Sequence, residues 1–285
     1  MNPPIWKMRE WIANSVNGDK GKYSERLDRT MISTNPRAIQ FLTKNKKKID
    51  WNSLSSNENA IELLMSNQSK INWDSLSSNK NYEAIKLLKS NKSKINWSRL
   101  SANESAIEIL EEEIDKIDWS TLSSNKNAMK ILEENRDKID WVRLSGNYNA
   151  IDLLLKNEDN IDSMYFSTNA NPRAIKYLKE HPSKINWSYL CLNENPDAIE
   201  MLMKNQNKID WFFLAINPSA YELLYMNQNK IVWYLFASNP CIFELDYRKM
   251  QLANEKFEEE LIMEVMKPSR VFKNPDYDYI EELFD

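Results

Sequence analysis

Apolar and polar residues recur along this chain in one order, clearest from Lys48 to Asn67: Lys-Ile-Asp-Trp-Asn-Ser-Leu-Ser-Ser-Asn, then Glu-Asn-Ala-Ile-Glu-Leu-Leu-Met-Ser-Asn. Copies anchored on tryptophan fall at Trp51, Trp73, Trp97, Trp119, Trp141, Trp187, Trp211 and Trp233. Ser163 takes the anchor position of one further copy and Arg29 that of a worn first one, so successive anchors lie 22 or 24 residues apart. A fixed period in this range marks a stack of supersecondary units, each burying its apolar face against its neighbours.

Within a repeat, Asp or Asn immediately before the anchor (Asp50, Asn72, Asn96, Asp118, Asp140, Asp162, Asn186, Asp210) is an N-cap, so a first helix of one or two turns begins at the Trp. Trp and the Leu three residues on, as in Trp51 and Leu54, share one face of it. A second helix follows. Asn-Pro pairs at Asn35, Asn171, Asn195, Asn217 and Asn239 place Asn at the N-cap and Pro at the first helical position. Ala-Ile-x-Leu-Leu then forms a broad apolar stripe. Asn45, Asn67, Asn91, Asn135, Asn157, Asn205 and Asn227 close that helix, and the tolerance of Asn for the left-handed region predicts that conformation there.

One hairpin of this size buries too few apolar side chains to offset the entropy of ordering it. The chain is therefore expected to be all-α: an α-solenoid of about ten short helix-turn-helix repeats with N- and C-terminal capping helices. The predicted divisions are an N-terminal capping helix over 1–28 carrying Trp6, Met8, Trp11 and Ile12, the repeats over 29–249, and a C-terminal cap with an acidic tail over 250–285. Ten hairpins separated by about 8–10 Å predict a curved body on the order of 90 Å long. At the worn end, Ile242, Phe243 and Leu245 keep the apolar face while Asp246 replaces the second Leu.

Two polar columns bear on stacking. One is Asn35, Asn57, Asn79, Asn103, Asn125, Asn147, Asn169, Asn193, Asn217 and Asn239; an amide both donates and accepts, so such a column can satisfy turn backbone from repeat to repeat. The other alternates in sign, Glu62, Lys86, Glu108, Lys130, Asp152, Lys176 and Glu200, and sets opposite charges on adjacent repeats. The repeat at Ser163 lacks its indole, with Met164, Tyr165 and Phe166 left to refill the space, and a local bend or softer joint is expected there.

Composition narrows the class. The chain has 285 residues, 42% hydrophobic and 28% charged, with a formal net charge of -4, the profile of an ordered soluble protein. Two cysteines, Cys191 and Cys241, cannot build a disulfide framework, and both fall inside repeats, which fits a reducing cytosol. No secretory h-region opens the sequence and no run approaches a membrane span, so membrane insertion is not expected.

Candidate chemistry is sparse. His181 stands where Asn closes the second helix elsewhere, with no partner for metal or triad work. The sequence has no Gly-rich phosphate loop, no Cys-x-x-Cys and no Gly-x-Ser-x-Gly. Neither an enzyme, a cofactor, a bound metal nor a small-molecule substrate is expected. Lys48, Lys70, Lys94, Lys116, Lys138, Lys184, Lys208 and Lys230 form a column that could track phosphates. Its flanks are polar or acidic and no aromatic residue is seen to interleave with it, so the column reads as compensating helix dipoles and nucleic acid is disfavoured as a partner.

A sharper signal lies between Trp and Leu of the first helices. Those two positions are polar early in the chain and turn apolar later: Met164 and Tyr165, Tyr189, Phe212 and Phe213, Tyr234 and Leu235, with Leu192 and Ile216 joining from the next outward position. Such a strip requires a cover. Either the C-terminal segment folds back over it or another protein docks there.

The motif Lys-Ile-Asp-Trp-x-x-Leu-Ser-x-Asn-Pro-x-Ala-Ile-x-Leu-Leu, legible from Lys48 to Asn239, resembles repeat proteins of giant nucleocytoplasmic large DNA viruses, chlorella-virus-like and mimivirus-like relatives included. Met266 to Lys273, Met-Lys-Pro-Ser-Arg-Val-Phe-Lys, is similar to the ending of those proteins. The sequence departs from the pattern at Ser163 and in the repeats without Pro. The resemblance implies a viral origin, presence in the virion or the host cytoplasm, and a protein-binding or structural role as a minor capsid or other particle component. Its partner would be a viral structural protein or, if the chain acts as an adaptor, a host protein.

Overall fold

The computed structural model describes residues 4–10, 12–13, 28–252 and 263. These fall into two compact parts: 8–243, and separately 4–7 with 244–252 and 263. The larger part is the repeat array, an all-α solenoid of ten short repeats, nine of them helical hairpins.

Each first helix starts at its anchor, as at Trp51–Leu54, Trp97–Ser101 and Ser163–Thr168. The preceding Asp or Asn caps it by accepting from backbone N–H; Asp50 takes the amide of Ser53 at 2.8 Å and Asn96 that of Arg99 at 3.1 Å. The second helix comes in two forms. In the longer repeats Asn81, Asn171 and Asn195 cap helices of 8 or 9 residues, Tyr82–Lys89, Pro172–Glu180 and Pro196–Lys204. Among the shorter ones, Asn57, Asn147 and Asn217 cap a 3-10 turn, after which the α-helix starts at Ile61, Ile151 and Tyr221. Two added residues thus convert a 3-10 start into a full N-terminal turn. A further 3-10 turn such as Gln68–Lys70 leads into the next repeat.

The core is a set of columns. Leu54, Leu76, Leu100, Leu122, Leu144, Leu190 and Leu214 from the first helices, and Leu42, Leu64, Leu88, Leu110, Leu132, Leu154, Leu178, Leu202 and Leu224 from the second, are fully buried. The alanines opening the second helices, Ala60 and Ala128 among them, are buried as well. Small residues there let the two helices of a hairpin approach closely. The anchor tryptophans are only half-buried, so the aliphatic columns form the spine and the indoles border it.

Repeats are joined by their buried asparagines. The Asn57 side-chain amide donates to the carbonyls of Ser33 at 3.0 Å and Asn35 at 2.9 Å, while its Oδ1 accepts the amide of Asn59. The same pair of inter-repeat bonds recurs at Asn79, Asn103, Asn125, Asn147, Asn169, Asn193, Asn217 and Asn239. Alongside it, the Oγ of Ser33, Ser55, Ser77, Ser101, Ser123, Ser145 and Ser167 accepts the backbone amide of the next repeat's cap residue.

This ladder closes on itself. The Asn35 amide donates to the carbonyls of Ala237 at 3.2 Å and Asn239 at 2.9 Å, the bonds that every other repeat makes to its predecessor. The first and tenth repeats are therefore neighbours, and the array is a ring instead of the extended body foreseen from its repeat number. A small, same-signed rotation at each joint, summed over ten joints, brings the ends together. First helices of adjacent repeats approach more closely than second helices do, which puts the first helices on the inner circumference.

Several other expectations need correction. Asn45, Asn67, Asn91, Asn135, Asn157, Asn205 and Asn227 have φ between -138 and -123, not the left-handed conformation. The Asn67 side-chain amide instead donates to the carbonyl four residues back, Leu63, at 2.9 Å, so the side chain rather than a backbone reversal satisfies the helix end. The repeat at Ser163 shows no break: Asn169 and Asn193 keep their ladder bonds at 2.8–3.0 Å, and buried Phe166 fills the Leu position with its ring against Tyr177. Opposite charges do meet between repeats, but column members pair with flanking residues and not with one another: Glu108 with Lys89, Lys130 with Glu111 and Asp152 with Arg173, while Lys89 with Glu112 and Lys179 with Asp197 lie wholly outside the column.

The N-terminal capping helix is replaced, over Trp6–Met8, by a strand, β1, which pairs with β2 at Phe243–Leu245 in a two-stranded sheet. The strand β2 stands where the tenth repeat would carry its second helix. The Asp246 amide donates to the Ile5 carbonyl at 2.8 Å. The expected helix over Glu255 to Met266, Met263 excepted, and the acidic tail beyond it lie outside the described residues.

Replacing Asn125 with Ala leaves the buried Ser101 carbonyl without its side-chain donor, takes one of two donors from the Asn103 carbonyl and removes the acceptor of the part-buried Asn127 amide. With each orphaned group costing about 1–3 kcal/mol, urea unfolding should show a loss of about 2–4 kcal/mol. Asn125→Asp keeps the shape but loses the donor and adds a buried charge, so its loss should exceed that of the alanine variant.

Candidate functional site

The strip foreseen on the later first helices is continuous. Tyr165 and Tyr189 have ring centroids 6.0 Å apart, Tyr189 and Phe213 5.5 Å, Phe213 and Phe212 5.6 Å, and Phe212 and Tyr234 6.4 Å. All four contacts are tilted or edge-on, the favoured arrangement for aromatic quadrupoles. Met164 is 40% exposed, Phe212 and Tyr234 each 47%, and Ile216 37%. Tyr165, Tyr189, Leu192 and Phe213 are half-buried.

Leu235 departs from the expected surface, being only 9% exposed. In that repeat Phe236 occupies the core position, with its ring edge-on to Trp233 at 5.9 Å, and Leu235 is drawn in beside it. Val142, passed over in the sequence, is 47% exposed. It holds the same place after its Trp as Met164 and Phe212 do, and extends the strip by one repeat; that positional equivalence was the available signal. The residue after Trp lies on the opposite side of its helix from the buried Leu, so the strip faces the inner circumference. On the preceding repeats the same wall is polar, with Asn52, Asp74, Ser98 and Ser120.

The lysine column has a different setting from the one foreseen. Lys70 lies over the Trp51 ring at 5.2 Å, Lys94 over Trp73 at 4.2 Å, Lys138 over Trp119 at 4.4 Å, Lys208 over Trp187 at 4.3 Å and Lys230 over Trp211 at 4.8 Å. In each case the lysine ending a repeat covers the indole that began it. Lys48 lies over Phe41 at 5.5 Å. Aromatic rings do accompany the column, then, but as partners of its charges. Where the tryptophan is missing, at Ser163, Lys184 has no indole in its own repeat to cover; where Trp141 is present, Asn160 stands in the lysine position. Lys116 is exposed.

Reactive groups are few. Burial pushes the Cys191 thiol up to about 11 and the Cys241 thiol up to about 12, so both stay protonated and poorly nucleophilic near neutrality. The Cys191 Sγ instead stands in for the serine hydroxyl, accepting the Asp210 amide at 3.4 Å. His181 plays the helix-closing part of Asn, its Nδ1 2.9 Å from the Tyr177 carbonyl and its ring stacked on Tyr177 at 4.1 Å. Among the described residues no group of three or more His, Cys, Asp or Glu could hold a metal ion, and no helix is long and apolar enough to cross a membrane.

If the lysine column serves its own indoles, Lys94→Ala should lower stability by about 0.5–1 kcal/mol, while Lys184→Ala changes it by less than about 0.5 kcal/mol; chemical denaturation of the two variants checks this. No family model, no curated protein and no solved structure matches this chain.

Proposed function

We propose that this protein is a non-enzymatic binding module whose aromatic strip takes up another protein. The observation that carries the reading is the unbroken path of rings from Tyr165 to Tyr234, with Phe212 and Tyr234 half exposed at a position that is polar at Asn52, Asp74, Ser98 and Ser120 in the earlier repeats. Exposed aromatic clusters of this kind are the usual anchors of protein interfaces. On the resemblance of the repeat motif, the setting is a large DNA virus and the partner a structural protein of its particle, with the chain as a minor virion component. A host protein bound in the cytoplasm is the alternative setting.

Five lysines of the basic column are engaged with indoles and the formal net charge is -4, which counts against nucleic acid as the main partner. Binding through phosphates would show an affinity that falls steeply with salt.

Affinity capture from infected cells, comparing the natural chain with a Phe212→Asp and Tyr234→Asp double variant, tests the reading. Both positions are exposed, so the variant should fold. Specific protein partners should be retained by the natural chain and reduced at least tenfold by the variant. An identical captured set, or nucleic acid as the sole captured species, would overturn the reading. Detection of the chain in purified particles would separate the virion setting from the host-adaptor one.

A further inference from the structure

The ring has ten joints, and they are not alike. The first eight, from repeat 1 to repeat 9, carry a bond in which the cap residue of one repeat donates its backbone amide to Ser Oγ, or to Cys191 Sγ, of the repeat before. At the last two the accepting position is Ala215 and Ala237, whose side chains offer no acceptor. Of these two, the joint between repeats 9 and 10 is crossed by the chain running directly from one repeat into the next. The joint between repeats 10 and 1 has no such covalent crossing.

One arginine reaches across that seam, and a second braces the stretch it binds. Arg37, just after the ladder Asn35, donates through Nη1 to the carbonyls of Pro240 at 3.1 Å and Phe243 at 3.4 Å. Arg9 donates through Nε to the Cys241 carbonyl at 2.8 Å and through its backbone amide to the Ile242 carbonyl at 3.0 Å, and its guanidinium lies 4.2 Å from the Tyr221 ring centroid. Phe41 of the first repeat meets Phe243 with ring centroids 6.4 Å apart. Both guanidiniums thus converge on one short stretch of carbonyls, 240–243, and hydrogen bonds from charged donors are the stronger kind. Arg9 binds repeats 9 and 10, whereas Arg37 and Asn35 reach across from repeat 1.

We propose that the seam between the tenth and first repeats is a gate, latched by Arg37 and Asn35, through which the ring opens while the other nine joints stay intact. Among the described residues, opening there breaks the two Asn35 bonds, the Arg37 bonds and the Phe41 to Phe243 contact and parts the apolar faces of the first and tenth repeats, while the Leu and Ala packing within each hairpin is kept. It gives lateral access to the inner wall that carries the aromatic strip, which a closed ring offers only from its two ends. The gate is a property of the ring alone and does not require the strip to be a binding site.

Spin labels on cysteines introduced at Lys44 and Met226 span the seam, and labels at Glu134 and Glu180 span two ordinary joints at equivalent positions. All four sites are exposed, while the natural cysteines are buried. In the 285-residue chain, Arg37→Ala should raise the population of long Lys44 to Met226 distances at least tenfold, the factor that follows from losing even one of its charge-assisted hydrogen bonds. The Glu134 to Glu180 distribution should not change, and this pair also reports that the variant is folded. Unchanged seam distances in the variant would overturn the gate, and so would equal broadening of both pairs, which would mean general loosening. Arg37→Lys, which keeps a charged donor, should return most of the population to the short distance.

Discussion

Everything in this fold depends on one side-chain amide placed where two backbones meet. A buried turn carbonyl short of donors is costly, and each repeat presents two carbonyls to its successor, of which the ladder Asn carbonyl in the shorter repeats also accepts a backbone amide. Asn supplies two donors on one nitrogen, and its oxygen remains free to cap the turn it sits in. No other residue of that length does both: Asp lacks the donor and Ser has only one. The repeats are therefore keyed to one another by a group that tolerates little translation, while the Leu and Ala columns supply the non-directional burial. The division explains why core positions admit Phe166 and Phe236 for Leu, whereas the ladder asparagine is present in all ten repeats.

Much of this was legible in the sequence because it is local and repeated. The Asp and Asn caps, the short first helix, the Leu and Ala stripe and the Asn column each follow from spacing within one repeat. Closure did not follow, because curvature is a sum of small rotations at the joints and no single residue encodes it. Asn35 and Asn239 look like any other members of their column; only the folded structure makes them adjacent. The strand at Trp6–Met8 was missed for a related reason. Its apolar spacing suits a helix, but the pairing partner at Phe243–Leu245 lies at the other end of the sequence and fixes the extended form.

The candidate surface was partly legible. The drift from polar to aromatic residues after each Trp located the strip, and edge-on contacts make it continuous. Leu235 was misplaced although Phe236 keeps the core position three residues after Trp233; the burial of Leu235 beside that larger ring is a packing outcome that spacing does not encode. The lysines were read singly, as helix-end charges. Their relation to the tryptophans is long in sequence and short in space, and shows itself in the five repeats where the closing lysine lies over the opening indole.

Closure also changes what the number of repeats means. In an open stack a duplicated hairpin lengthens the array, at little energetic cost, and such proteins drift in size over evolutionary time. Here an eleventh hairpin would push Asn35 out of reach of Asn239 unless every joint reset its angle, and a lost one would crowd them. Ten is thus a geometric quantum of this architecture, and inheritance by slippage of whole repeats is penalised in both directions.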